Sequence, residues 1–142
     1  MRDILFRGKR IDNDEWVYGS FCMDALEQFN GLCGVDGFIR LYDKAKGKMQ
    51  THEVDRETVG QYTGLTEENG KRIFEGDIVK RFWLGAEIIY CIKYEEENAS
   101  FIGKALNTSG FTTFDHDGEM FEIIGNIHDC PELLKEGADN AK

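Results

Sequence analysis

Residues 58–80 read TVGQYTGLTEENGKRIFEGDIVK, and they contain two turn signals close together. Asn69-Gly70 readily adopts positive φ, which a tight turn needs. Gly76-Asp77 stands directly before the β-branched pair Ile78-Val79, and an aspartate side chain at such a position can bond the backbone of the turn. The segment therefore predicts short strands that are separated by tight turns.

Outward from this segment, the chain continues in the same way on both sides. Ile4 and Phe6 alternate with Leu5 and Arg7, which is the period of two of a pleated strand. We expect hairpins over residues 3–22 and 38–54, and further strands at 58–65, 78–82, 86–94, 100–106, 111–114 and 120–124. Only residues 23–29 and 130–135 predict short helices, with a glycine-rich loop at 30–37. The predicted fold is mainly β with minor helix, a β-rich α+β class.

The strand pattern also suggests how the chain is divided. Residues 1–57 are expected to form an N-terminal region of β-hairpins with the glycine-rich loop. Residues 58–137 are expected to form a barrel-like core, because the Glu-Gly-Asp-Ile-Val sequence at 75–79 is similar to the entry of small SH3-like barrels. Residues 138–142 form a small polar tail. One integrated domain is the alternative.

The charge of the chain restricts the classes of partner. The 142 residues include 27 acidic and 17 basic side chains, a net charge of −10. Residues 61–142 hold 16 acidic and 8 basic residues, which argues against binding of nucleic acid or its phosphate backbone. Apolar stretches such as 88–92 are far too short to span a membrane, and no apolar signal segment starts the chain. We expect a soluble, cytoplasmic protein with no membrane contact.

Motifs that would indicate an enzyme, a metal or a cofactor are weak. The Asp115-His116-Asp117-Gly118 stretch resembles part of a calcium loop but lacks the ligands at the required later positions, so it predicts a turn. The consecutive His128-Asp129-Cys130 side chains rarely converge on one centre. The four cysteines lack the spacing of a zinc site, and no phosphate-binding glycine loop is present. We expect no catalytic residues, no metal and no cofactor.

The segment 58–80 resembles the hallmark of the YopX family of small phage and prophage proteins. Two further stretches are similar to that family, namely the opening Arg2–Arg7 and the Gly-Asn-Ile and Pro-Glu-Leu motifs within 123–134. The resemblance implies a phage-encoded accessory protein that forms homo-oligomers. The family has no established activity, so the resemblance supplies no catalytic residue.

A non-catalytic, homo-oligomeric binding protein that engages a host or phage macromolecule is the function we expect. The residues that would line its contact surface are Tyr62, Thr63, Asn69, Asp77, Trp16 and Trp83, together with an exposed Phe82. For Tyr62, Thr63, Gly76 and Asp77 the residue pattern favours a structural role, and a groove for a partner lined by Tyr62, Asn69 and Asp77 is the alternative. A second hypothesis is an acidic mimic of nucleic acid that inhibits a host nucleic-acid enzyme. An acidic face that pairs with the basic N-terminal hairpin of another copy would also explain the uneven charge.

Overall fold

The computed structural model describes residues 3–22, 37–113 and 120–134, which form ten β-strands in two antiparallel sheets. The mainly β fold is therefore confirmed. The chain divides into two compact units, Met1–Tyr62 and Thr63–Lys142. The predicted helix at 23–29, nearly all of the predicted loop at 30–37, the Asp115–Gly118 turn and the tail at 138–142 lie outside the described residues.

Four strands build the first unit, and each of them pairs with two others. They are β1 (Phe6–Arg10), β2 (Trp16–Cys22), β3 (Phe38–Asp43) and β4 (Lys48–Thr66). Strand β4 pairs with β3 along Lys48–Glu53 and then with β1 along Val54–Gln61. The additional β1–β4 pairing closes the order β1-β2-β3-β4 into a ring. Ring closure leaves none of these four strands as a free edge. A free edge would present unpaired backbone groups that can pair with another chain.

The prediction of two strands at 48–54 and 58–65 was wrong, because β4 runs without interruption through Asp55-Arg56-Glu57. The register with β1 shifts there, since Arg7 lies opposite Gly60 and Lys9 lies opposite Asp55. The hydroxyl of Thr58 accepts the Lys9 backbone N–H at 2.8 Å and donates to the Asp55 carbonyl at 2.6 Å. A side chain thus replaces the missing hydrogen bonds of the ladder. The strand continues through a β-bulge at the position where the composition predicted a break between two strands.

The second unit contains the last residues of β4 and six further strands. They are β5 (Arg72–Phe74), β6 (Asp77–Trp83), β7 (Ala86–Glu95), β8 (Ser100–Ala105), β9 (Phe111–Thr113) and β10 (Glu122–Asn126). Strand β5 follows β4 in the first sheet, and the other five form the sheet β10-β6-β7-β8-β9. The SH3-like arrangement of this half stays a prediction.

The core of the second unit joins residues of the second sheet with Ile73 of β5 and with Phe121, which precedes β10. Its buried members are Ile73, Val79, Tyr90, Ile92, Phe101 and Phe121. The rings of Tyr90 and Phe121 meet edge to face, with their centroids 5.9 Å apart. Residues 131–134 are helical, as expected for 130–135, and Cys130 and Leu133 lie against Gly125. That contact explains why position 125 has no side chain.

Candidate binding surface

The end of the β6–β7 hairpin is a two-residue turn at Leu84-Gly85. The ladder runs in register up to Trp83 opposite Ala86, so the turn follows directly from the last pair. Both turn residues have positive φ, 51° at Leu84 and 80° at Gly85. This is the combination of a type I′ turn, whose twist matches that of the flanking strands. Glycine tolerates the left-handed region, whereas a leucine there is strained.

The same turn exposes three consecutive large apolar side chains. Phe82 is 70% exposed, Trp83 48% and Leu84 91%. Leucine in a strained backbone and in full contact with water is doubly unfavourable for the isolated chain. Grouped exposed apolar residues of this kind mark interaction sites. We call Arg81–Leu84 the hairpin end.

Arg81 supports the hairpin end from within and is itself surrounded by aromatic rings. Its guanidinium carbon lies 5.1 Å from the ring centroid of Trp83 and 5.3 Å from those of Tyr90 and Phe121. Each of these distances is within the range of a cation–π contact. The Nε of Arg81 is buried and makes no hydrogen bond to any described residue. The residue thus links the exposed turn to the core while one of its donors stays unsatisfied.

Lys80, the neighbour of Arg81, has a different environment because adjacent residues of a strand point to opposite faces. Its ammonium group lies 3.8 Å from a carboxylate oxygen of Glu87 and 3.6 Å from one of Glu122. These two partners belong to the strands on either side of β6, so Lys80 bridges three strands. Its positive charge is therefore balanced by carboxylates of the same sheet.

Of the residues predicted for a contact surface, Trp83 is exposed at the hairpin end and Asn69 is exposed in the turn after β4. Tyr62, Thr63 and Asp77 are only 7%, 6% and 2% exposed. A buried side chain offers a partner little surface, so the role that their contacts support is architectural. The set is not brought together in one place.

The contacts of two of these buried residues show what they stabilise. The hydroxyl of Thr63 donates to the carbonyl of Ile73 at 2.8 Å, which holds β5 beside the end of β4. The carboxylate of Asp77 accepts the backbone N–H of Phe74 at 2.7 Å, across the Glu75-Gly76 turn. The sequence motif therefore encodes a turn, as its Gly-Asp pair indicates.

Trp16 lies half-buried in the first unit, where the Arg7 guanidinium is 4.6 Å from its ring centroid and Lys9 Nζ is 5.5 Å away. Several basic side chains near the N-terminus contact residues of the same unit. Arg7 is buried, and Arg10 bonds Asp12 at 2.6 Å. That hydrogen bond lowers the pKa of the Asp12 carboxyl. Arg2 lies outside the described residues.

A small polar cavity of about 240 Å³ lies beside this ion pair, lined by Arg10, Ile11, Asp12, Thr51, His52 and Glu53. The imidazole of His52 lies 3.3 Å from the side-chain oxygen of Gln50. In the described part of the chain, no three histidine, cysteine or acidic residues are grouped to hold a metal ion. The cavity has no arrangement that indicates a particular chemistry.

Cys22, Cys91 and Cys130 are free thiols. Cys91 lies within β7, and burial raises the pKa of its thiol above the ordinary value. A thiol in that state is a poor nucleophile. Cys33 lies outside the described residues. Among the helices that the structure describes, none has the length and apolar character to cross a membrane.

Sequence reasoning assigned no role to Glu67, which precedes the Asn69-Gly70 turn signal. Its side chain is only 2% exposed. One carboxylate oxygen accepts the backbone N–H groups of Asn69 at 2.8 Å and Lys71 at 3.2 Å, and the other lies 3.5 Å from the N–H of Ile123. The glutamate therefore closes the turn after β4 and ties it to β10.

We expect Glu67→Ala to lower the free energy of unfolding by about 2–3 kcal/mol, since buried N–H groups would lose a charged acceptor. Glu67→Gln keeps one acceptor oxygen and should cost clearly less. Urea unfolding followed by tryptophan fluorescence measures both. Glu68→Ala, at the exposed neighbouring position, is the matched control. Equal stability of Glu67→Ala and Glu68→Ala would contradict this role.

Comparison with known proteins gives a family and a likeness to solved structures. A family model described as YopX protein matches residues 5–135. The crystal structure of protein EF1440 from Enterococcus faecalis is similar to this chain, with 20% sequence identity and a TM-score of 0.48, and the match covers 94% of this chain and 99% of that one. No curated protein matches the chain.

Proposed function

The chain belongs to the YopX protein family, and from this premise we propose that it is a non-catalytic binding protein that associates with further copies of itself. The observation that carries the proposal is the hairpin end, where Phe82, Trp83 and Leu84 are exposed in succession. Strain at Leu84 and exposure of three large apolar side chains are unfavourable in a lone molecule, and contact with a partner removes the exposure. Tryptophan and arginine side by side are also typical of the centre of an interface.

The proposal extends to the setting in which the protein works. The family resemblance implies a phage or prophage origin, and we place the protein in the cytoplasm of the bacterial host. There the assembled copies would engage a host or phage protein. The acidic charge argues against nucleic acid as a partner, and the short apolar stretches argue against a membrane.

Self-association is tested by sedimentation velocity and light scattering over a range of protein concentrations. The wild-type protein should show a mass above that of one chain, and Trp83→Ser should shift it toward the single chain. Phe111→Ser is the matched control, because Phe111 is a similarly exposed aromatic residue on β9. A single-chain mass for the wild type at every concentration would overturn the proposal.

Leu84→Asn separates the backbone strain at Leu84 from the exposure of its apolar side chain. Asn-Gly is the preferred pair for a type I′ turn, so the variant should gain about 1 kcal/mol in the free energy of unfolding. The same variant removes the most exposed apolar side chain of the hairpin end, so it should associate more weakly. Thermal unfolding and sedimentation velocity on one sample measure both effects. A variant that is more stable and associates unchanged would remove Leu84 from the interface.

An acidic mimic of nucleic acid is the second candidate. The observation that favours it is the charge of residues 61–142, with 16 acidic against 8 basic side chains. Such a protein would bind a basic host nucleic-acid enzyme in a strongly salt-sensitive manner. Capture of such an enzyme from host lysate at low salt, with release at high salt, would favour this candidate. The same binding by Trp83→Ser would separate it from a role of the hairpin end.

A further inference from the structure

Arg81 is a charged residue whose hydrogen-bonding capacity is not used in the described part of the chain. A guanidinium has five N–H donors and no acceptor. The contacts of Arg81 are with three aromatic rings, and its buried Nε has no hydrogen-bond partner among the described residues. Buried donors without partners are rare and costly. The residue as a whole is half-buried while its Nε is enclosed, so a group that arrives from outside meets the terminal N–H groups of the guanidinium.

The surroundings indicate the chemistry of that group. An arginine surrounded by aromatic rings is well suited to a carboxylate, which it can bond through two parallel N–H groups. The exposed Trp83 and Leu84 would exclude water from such a pair and strengthen it. The hairpin end therefore fits a carboxylate at the tip of an exposed turn.

The chain itself carries a turn of this kind at the other end of β7. Three consecutive glutamates, Glu95-Glu96-Glu97, lead out of that strand. The carboxylate of Glu95 accepts the Asn98 side-chain amide, whereas Glu96 and Glu97 are exposed. Adjacent like charges repel each other, so an incoming cation relieves the turn.

We infer that Arg81 of one copy binds Glu96 or Glu97 of a second copy, an inference that rests on the self-association proposed above. The hairpin end and the glutamate turn lie at opposite ends of β7, about 30 Å apart for a ten-residue strand. Two copies that run antiparallel along this strand place each hairpin end on the partner's glutamate turn. Both contacts then form at once, as two-fold symmetry requires.

The contact is tested by charge exchange in the 142-residue chain. R81E and E96K/E97K should each weaken the dimer by about 30-fold or more, because both contacts in each dimer become repulsive. An equimolar mixture of the two variants should restore the dimer, since every contact between unlike copies again joins opposite charges. Sedimentation velocity reads all of these samples, and thermal unfolding establishes that each variant is folded.

The control is E68K/E132K, which changes the net charge by the same amount at two exposed glutamates of the same unit. It should dimerise as the wild type does. Because R81E places a carboxylate among aromatic rings and can fail to fold, the solvent-exposed E96K/E97K variant tests the contact alone.

The outcomes distinguish the inference from the proposed function. If E96K/E97K weakens the wild-type dimer no more than E68K/E132K does, the Arg81 contact is overturned and self-association is retained. A wild-type protein of single-chain mass overturns both. Folded R81E and E96K/E97K variants that fail to pair when mixed also overturn the contact. Loss in each variant with recovery in the mixture supports it.

Discussion

Replacement of Phe121 by alanine should lower the free energy of unfolding by about 3–5 kcal/mol, the usual cost of removing a buried phenyl ring. Phe121 is 2% exposed and packs edge to face on Tyr90. It also lies beneath the Arg81 guanidinium, at 5.3 Å from the guanidinium carbon to its ring centroid. The substitution therefore leaves a cavity and removes part of the support of the hairpin end.

Urea unfolding monitored by circular dichroism measures the effect, and Phe121→Leu should recover most of the stability by filling the space. Met120→Ala is the control, because Met120 is 46% exposed at the preceding position. A loss for Phe121→Ala no greater than that for Met120→Ala would show that the ring is not part of the core.

Replacement of Gly19 by alanine should destabilise the first unit by about 3 kcal/mol, near the upper end of the usual cost of overpacking. A Cβ at this position would overlap the carbonyl group of Arg40, and a backbone atom cannot move aside as the end of a side chain can. Gly19 lies where β2 changes its partner, since Gly19 itself pairs with β1 and Ser20 pairs with β3. The close approach is therefore part of how the ring of four strands closes.

Gly8→Ala offers a graded comparison. A Cβ there would lie 3.1–3.2 Å from side-chain atoms of Val54 and Val59, which can shift slightly, so its cost should be smaller. Ser20 is exposed, so Ser20→Ala should leave the stability nearly unchanged. Thermal unfolding should show the largest loss of stability for Gly19→Ala, a smaller loss for Gly8→Ala and the smallest for Ser20→Ala. Gly19→Ala with wild-type stability would contradict the close contact.

The sequence was sufficient to predict most strands, because their apolar residues alternate and their turns carry glycine or short polar residues. The strand β7 and the turn before Ile78-Val79 follow from such local signals. Trp83 and Phe82 were predicted as exposed aromatics, and the structure places both at the hairpin end. Local composition also predicted strands at 78–82 and 86–94, and the structure pairs them in the β6–β7 hairpin.

Other features depend on residues that are distant in the chain, so no local pattern could predict them. Phe121 reaches Arg81 from 40 positions away, and only the pairing of β10 with β6 brings the two together. Glu67 is buried because the turn after β4 packs against the backbone of β10, although the next residue, Glu68, is charged and exposed. The continuity of β4 depends on Thr58, whose hydroxyl is bonded to Lys9, 49 positions away.

The closed ring of the first unit has a consequence for synthesis of the protein. Strand β1 is made first, yet the partner on its second side, Val54–Gln61, follows some 40 residues after the end of β2. At 5–20 residues per second, translation of that interval takes about 2–8 s. During this time β1 has a free side, and closing so long a loop is slow in itself. The nascent N-terminal hairpin is therefore the part of the chain that we expect to depend most on chaperones before residue 61 has emerged.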